Sequence, residues 1–564
     1  MTSRSFRTAL GSWFAGVGAP LPRQGAQALK QAVAALNEPV VVVAKDGQLA
    51  VASGGEARLG VTASDEAWPL VAHVPALSPS TLGDASFREM HGVSYGYVAG
   101  EMANGIASEA LVEAVARAGM LAVFGAAGLP VVRIEQAMER LEQSLEGLPW
   151  GVNLIHSPDD AALEAGAVEL FLKRGLRFVS ASAYLDLTLP IVKYRLAGIH
   201  RDANGAVVVP NRVMAKVSRV EVARKFLEPA PERFVQQLVA SGFLSAEQAS
   251  LAALVPMVDD LTAEADSGGH TDNRPLVLLL PALQALRDEV AAKFQYAVAP
   301  RVGAAGGLAT PASVASAFSM GAAYVVTGTI NQACREAATS DAVREMLAQA
   351  SSTDVAMAPA ADMFEMGVKV QVLSRGTMFA VRAQRLYELY RTHDSVEALP
   401  AAVRAELEQK FFRSTLEEAW AGCERFFEAR DPRQLARAAK EPKHKLALIF
   451  RSYLGQASHW ANTGDADRRL DYQVWCGPAM GAFNAWAKGS FLESWENRRA
   501  VVMAKNLMVG AAVLTRVAAL RSQGLEVPAV VSQFAPLEER ELDALLVTRE
   551  VKAVAALVSS RTEA

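Results

Sequence analysis

The stretch Glu264-Ala-Asp266-Ser267-Gly268-Gly269-His270-Thr271-Asp272 follows a mainly apolar segment at 255–261 and gathers carboxylates, paired glycines and an imidazole into one turn. A strand that ends this way presents polar side chains and bare backbone N–H groups at one rim. In a βα-barrel that rim is the chemical face. Outward from it in both directions, short apolar runs alternate with helical spacing. Strands are expected at 95–99, 121–124, 151–155, 177–180, 213–217 and 258–263, and then at 300–304 and 323–327. Helices are expected at 108–118, 134–145, 158–173, 189–196, after Ser218, over 276–294 and at 311–320. Eight βα units over about 240 residues match a (β/α)8 TIM barrel. The competing open, doubly wound sheet would want a GxGxxG after its first strand, and none is present.

The barrel is set at residues 91–340, with two excursions. Ala203-Asn204-Gly205-Ala206 is a hairpin turn, and 229–256 reads as a helical insertion. Residues 1–90 read as a small N-terminal α/β module, with a strand at 40–44, a turn at Asp46-Gly47, a strand from Leu49 and a Pro/Ser-rich link at 75–82. After residue 340 strand signals fade, so 341–564 is expected to be an all-helical domain. Within it, Asp465-Ala-Asp467-Arg468-Arg469-Leu-Asp471-Tyr472-Gln-Val-Trp475-Cys476-Gly477-Pro478 is either a solvated loop with an aromatic anchor or a binding surface.

A net charge of −4 gives no electrostatic reason to expect nucleic acid. Three well-separated cysteines, Cys334, Cys423 and Cys476, form neither a CxxC pair nor a disulfide framework, which suits a reduced, cytoplasmic setting. The N-terminus lacks a convincing cleavage site and is not expected to be a signal peptide. The apolar segment 507–520 carries Arg516 and is too short to span a bilayer, so no membrane association is expected.

Ala305-Gly306-Gly307-Leu308-Ala309-Thr310 follows the seventh strand and Thr327-Gly328-Thr329 the eighth. In this fold those two loops commonly hold a phosphate, and glycine lets the backbone approach its oxygens. No second histidine stands at ligand spacing from His270, so no metal site is expected. Ser267, His270 and Asp272 are too close in sequence to reach triad geometry. His270 therefore reads as an acid, base or hydrogen-bond donor beside a phosphate-bearing ligand, or as a plain loop cap. Flavin mononucleotide and a sugar phosphate fit these residues equally.

Longer strings carry a resemblance. Ser267-Gly268-Gly269-His270, with Val302-Gly-Ala-Ala-Gly306-Gly307 and Val326-Thr-Gly328-Thr329, resembles the FMN-dependent nitronate monooxygenase and enoyl-ACP reductase superfamily. Tyr97-Val-Ala-Gly100-Glu-Met102-Ala-Asn104-Gly105-Ile106-Ala-Ser108, Gly151-Val-Asn153-Leu-Ile-His156-Ser-Pro158, the turn through Asn273-Arg274-Pro275, and the string at 467–478 are similar to the PfaD family. These are trans-acting enoyl reductases of polyunsaturated fatty acid and trans-AT polyketide synthases, and the resemblance covers roughly residues 90–530.

The resemblance implies FMN, with NADPH or NADH as reductant, and reduction of an α,β-unsaturated thioester on an acyl carrier protein. By position it places Gly100, Glu101 and Met102 along the flavin ring, and Asn153 and Lys216 at the ring or ribityl chain. Gly268, Gly269, Gly306, Gly307, Gly328 and Thr329 fall at the phosphate end. His270 matches the active-site histidine, as α-carbon proton donor or as support for the thioester carbonyl. The alternatives are a nitronate-oxidising flavoenzyme and a non-catalytic synthase scaffold. Carrier docking is expected on basic residues Arg468, Arg469, Lys443 and Lys445, and a homodimer is the default assembly.

Overall fold

The computed structural model describes residues 9–45, 47–60, 67–156 and 161–546. Eight parallel strands close a barrel in chain order: Tyr97–Ala99, Leu121–Phe124, Gly151–Ile155, Phe178–Ser182, Arg212–Val217, Asp260–Glu264, Arg301–Ala305 and Val325–Thr327. The ring shuts where Val326 of the eighth strand lies opposite Val98 of the first. These strands read as short apolar runs because both faces are covered, by barrel interior and by helices. The first crossover helix, Glu109–Arg117, starts where the Ser108 hydroxyl accepts from the Leu111 amide. At the base of the barrel Asp260 is buried and accepts from both His91 and Arg301 at 2.7 Å.

The helical insertion is a pair, Glu232–Ala240 and Ala246–Ala252, and His200–Arg201 pairs antiparallel with Val207–Val208 across the expected turn. The N-terminal module is larger than a hairpin. Six strands lie in the order Arg23–Gln24, Gln48–Ala52, Val40–Lys45, Ala67–Val74, Gly11–Phe14, Glu56–Leu59. Asp46 of the expected turn lies outside the described residues, as do the first eight residues and 157–160, where the third helix was expected to begin. The helix Ala85–His91 straddles the boundary drawn at residue 90 and sits at the barrel's base through its His91–Asp260 bond.

Two expectations about the last third need correction. Residues 341–546 are not all helical. Val355–Pro359 and Lys369–Leu373 pair antiparallel, and Gly269–His270 adds to them as a third strand. The signal was the alternation in Lys369-Val-Gln-Val-Leu, which buries its valines, but it is short and flanked by helices. The helical spacing at 497–523 is borne out, and the correction concerns only the length judged from its most apolar part, 507–520. The helix runs Ala500–Ser522, enough by length and composition to cross a membrane, yet 78% of its most apolar window is buried inside the molecule. It packs on Pro311–Ser319 so closely that a Cβ on Gly510 would stand 2.6 Å from the Pro311 ring. Its Arg516 donates to the carbonyls of Val33, Ala35 and Glu38, tying the N-terminal module to the barrel's outer layer.

Candidate active site

A cavity of about 1050 Å³ opens at the C-terminal ends of the barrel strands. All twelve residues assigned above to cofactor or catalysis line it: Gly100, Glu101, Met102, Asn153, Lys216, Gly268, Gly269, His270, Gly306, Gly307, Gly328 and Thr329. They meet because each follows or ends a barrel strand, and parallel strands deliver their C-terminal ends to one rim.

One wall is charged. Lys216 on the fifth strand reaches Glu101 after the first and Glu264 on the sixth, both at 3.0 Å. Burial alone would lower the Lys216 pKa, but the two carboxylates outweigh it and raise it, so the ammonium stays charged. Glu101 also accepts from the Ser180 hydroxyl at 3.1 Å, and Asn153 is fixed by Ser180 O at 3.0 Å and Ser182 Oγ at 2.9 Å. This wall is preorganised, with each polar group held by a neighbouring strand.

The opposite feature is a glycine cradle. Gly306 has φ +82° and no room for a side chain, since a Cβ would lie 2.5 Å from the Ala265 carbonyl carbon. Gly307 and Gly328 face empty space, and a Cβ there would meet nothing within 4 Å. Among the described residues neither amide donates to a protein acceptor. The Ser267 hydroxyl beside them is buried and likewise unpartnered. An orphaned hydroxyl and free amides around a hollow fit a phosphate group, which would accept from all of them.

His270 is held by residues distant in sequence. Gly269 and His270 pair with Gln371 and Val370, and the His270 Nε2 lies 3.2 Å from Asp362 Oδ1. Burial pushes the imidazole pKa down. The hydrogen bond and charge of Asp362, with Glu264 behind it, more than offset this, and the pKa is raised. Asp272 takes no part. It binds Arg219 and Ser218, and the Arg219 hydrogen bond holds its carboxyl down at about 2, which disposes of a Ser267–His270–Asp272 triad.

The turn is braced from behind by the Trp475-Cys476-Gly477 string. A Cβ on Gly268 would lie 2.9 Å from the Cys476 nitrogen, and one on Gly477 would lie 2.9 Å from the Gly268 nitrogen. Gln371 ties the same turn together by donating to Asp266 and to the Ser267 carbonyl, both at 2.8 Å. The sequence did not reveal Asp362 or Gln371 as site residues, because contacts across about a hundred positions leave no local pattern, while Trp475 stood in the 465–478 string without a place at this cavity. His156, at the cavity edge with its Nδ1 3.3 Å from Glu164, was visible in a quoted motif but given no role.

The basic residues expected to dock a carrier divide. Arg468 is only 12% exposed at its side chain, donates to the carbonyls of Phe411 and Phe412, and lies over the Trp460 ring at 4.3 Å. Arg469 is half exposed beside Glu345. Lys443 pairs with Asp394 at 2.9 Å, and Lys445 lies over the Trp420 ring at 5.2 Å.

Residues 86–410 match the nitronate monooxygenase family, so the chain belongs to that family of flavin-dependent oxidoreductases. Within it, the chain falls with the PfaD-like enoyl reductases. It is 39% identical to the enoyl reductase domain of MlnA from the macrolactin biosynthesis cluster of Bacillus amyloliquefaciens, over 79% of this chain and 100% of that one, with a TM-score of 0.75. It is 48% identical to a polyunsaturated fatty acid synthase polypeptide of Thraustochytrium sp. over 78% of this chain, and 44% identical to polyketide biosynthesis protein PksE of Bacillus subtilis over 78%. It spans only 30% of the first protein's length and 57% of the second's. Residues 393–472 also match the inserted helical domain of [acyl-carrier-protein] S-malonyltransferase.

Proposed function

We propose that the protein is a trans-acting enoyl reductase that uses FMN and NADPH (or NADH) to saturate enoyl thioesters borne by an acyl carrier protein. One observation carries the reading: the glycine cradle and an acid-backed histidine share one cavity. Bound FMN supplies hydride acceptance from the nicotinamide and hydride delivery to the β-carbon of the enoyl group. The chain's own groups do the rest. Gly307, Gly328 and Ser267 hold the phosphate, and Lys216, Glu101 and Asn153 form a fixed polar edge for the ring. His270, whose charged form Asp362 favours, supplies a proton at the α-carbon or supports the thioester oxygen as negative charge develops there.

The relatives support the substrate class, since they are synthase components and an enoyl reductase domain. The match of the helical region to part of a carrier-protein acyltransferase supports a carrier-borne substrate. Three buried, unpaired cysteines accord with a cytoplasmic setting.

The test is an anaerobic titration. The FMN-loaded protein is reduced with NADPH and mixed with crotonyl-pantetheine while flavin absorbance is followed. Prompt reoxidation with a butyryl product is expected. Flavin that ignores the thioester but, once oxidised, is reduced by a nitronate and reoxidised by air would give the protein the oxidase chemistry instead. Protein that takes up no flavin would be a scaffold.

A further inference from the structure

The cavity does not stop at the barrel. It continues between the helices Leu416–Arg430 and Pro442–Thr463, and the lining positions recur at helical spacing on both. On the second helix they run from Leu448 to Asn462, a face about 20 Å long at 1.5 Å per residue. Asn104, from the loop after the first barrel strand, donates to Ser458 Oγ at 3.0 Å, so the groove starts on the barrel's own lip.

The two walls differ in chemistry. The first helix contributes Ala419, Cys423, Phe426 and Phe427, an apolar strip that ends at Arg430. The second is mostly polar, with Ser452, Gln456, Ser458, His459 and Asn462 beside Arg451 and a single leucine, Leu448. Among the described residues, the side chains of Gln456 and His459 bond to no other residue.

Each helix also carries an interior glycine on this face, Gly422 and Gly455. A glycine there costs about 1 kcal/mol of helix stability relative to alanine. Packing does not demand it. A Cβ on Gly455 would meet nothing within 4 Å, and one on Gly422 would meet only the Arg425 guanidinium at 3.9 Å. Neither has a positive φ. What the missing side chains leave is open width in the groove.

We propose that this groove is the path of the pantetheine arm that carries the enoyl thioester to the barrel. The inference rests on the enoyl reductase reading and adds to it a binding site. A pantetheine arm is an extended chain with two amides and a geminal dimethyl group. One polar wall and one apolar wall, along a run of about 20 Å, suit that pattern. A purely aliphatic chain would leave the polar wall unused.

Two measurements on the FMN-loaded protein test it. The first is turnover of crotonyl-pantetheine against S-ethyl thiocrotonate, which has no arm. Gly455→Leu fills the groove on a helix that leucine favours, and it should lower the ratio of the two kcat/KM values at least about tenfold, a 1.4 kcal/mol loss. Gly455→Ala, which adds one methyl group, should keep most of the preference. If the leucine variant does not fold, Gln456→Ala combined with Asn462→Ala removes polar partners instead and should lower the ratio in the same direction. The second measurement is calorimetric binding of butyryl-pantetheine, which cannot be reduced, and it should weaken in step with the first.

Equal losses on both esters, or unaltered protein that does not prefer the pantetheine ester, would overturn the groove and leave the reductase standing. Discrimination by acyl length rather than by the arm would assign the groove to the acyl chain and also overturn the proposal. Binding of butyryl-pantetheine that is sensitive to Gly455→Leu, without any reduction of the crotonyl ester, would leave the groove standing and overturn the reductase.

Discussion

His270 is pulled in opposite directions by its surroundings, and the outcome sets a pH dependence. Burial favours the neutral ring, while Asp362 and Glu264 favour the charged one and prevail. The ion pair therefore adds stability that is complete below the ordinary histidine pKa near 6.5 and fades as pH rises through the raised folded value. Asp362→Asn removes the main cause. The alkaline limb of the activity profile should move to lower pH, while His270→Gln abolishes that limb. A profile unchanged in Asp362→Asn would exclude His270 as the titrating acid. Lys216 is a second test at this scale. Lys216→Met leaves Glu101 and Glu264 facing each other without their cation and should cost about 3 kcal/mol in urea unfolding. An unchanged denaturation midpoint would contradict the pairing. His270 stood out because Gly268 and Gly269 are its neighbours in one string, and Gly306, Gly307 and Gly328 because they follow two barrel strands. Asp362 was not, as a lone acid in a loop has no pattern of its own.

Among the elements, the short strand Gly269–His270 depends most on others. It pairs with Lys369–Leu373, and Gly268 just before it is packed against Cys476 and Gly477. Gly268→Ala drives a methyl group into the Cys476 backbone and should cost about 1–3 kcal/mol of stability together with flavin retention. Gly307→Ala separates the two effects. It adds backbone strain of about 1–2 kcal/mol at φ +70° but meets no atom, so its larger effect should be on FMN affinity. Flavin fluorescence titration and thermal melts of both variants check the contrast, and equal FMN affinity in Gly307→Ala and the unaltered protein would remove that glycine from the cradle. The eight barrel strands were legible because both of their faces are buried, which writes them as apolar runs between helical repeats. Val355–Pro359 and Lys369–Leu373 were missed because they are short and stand among helices.

At the scale of the molecule, Ala500–Ser522 joins parts that the sequence pattern keeps separate. Its Gly510 rests on the Pro311 ring of a barrel helix, and its Arg516 serves carbonyls of the N-terminal module. Burial pushes the Arg516 pKa down to about 10, so the side chain is still a cation at neutral pH. Arg516→Met leaves those carbonyls without donors and should cost about 2–3 kcal/mol. Denaturation followed by tryptophan fluorescence would show it, and an unaltered midpoint would mean the module is held by apolar packing alone. The segment boundaries at 90 and 340 were drawn from changes of pattern, and the helix Ala85–His91 crosses the first of them. That the three segments share a hydrophobic core was not, because packing between distant helices leaves only an apolar face in the sequence.

The brace behind Gly268 also has a consequence in time. A chain leaves the ribosome N-terminus first. The barrel has all its strands once Thr327 has emerged, while Cys476 and Gly477 are still unmade. A nascent chain that has passed Thr327 but not Cys476 would thus hold every barrel strand while the turn that carries His270 still lacks its brace.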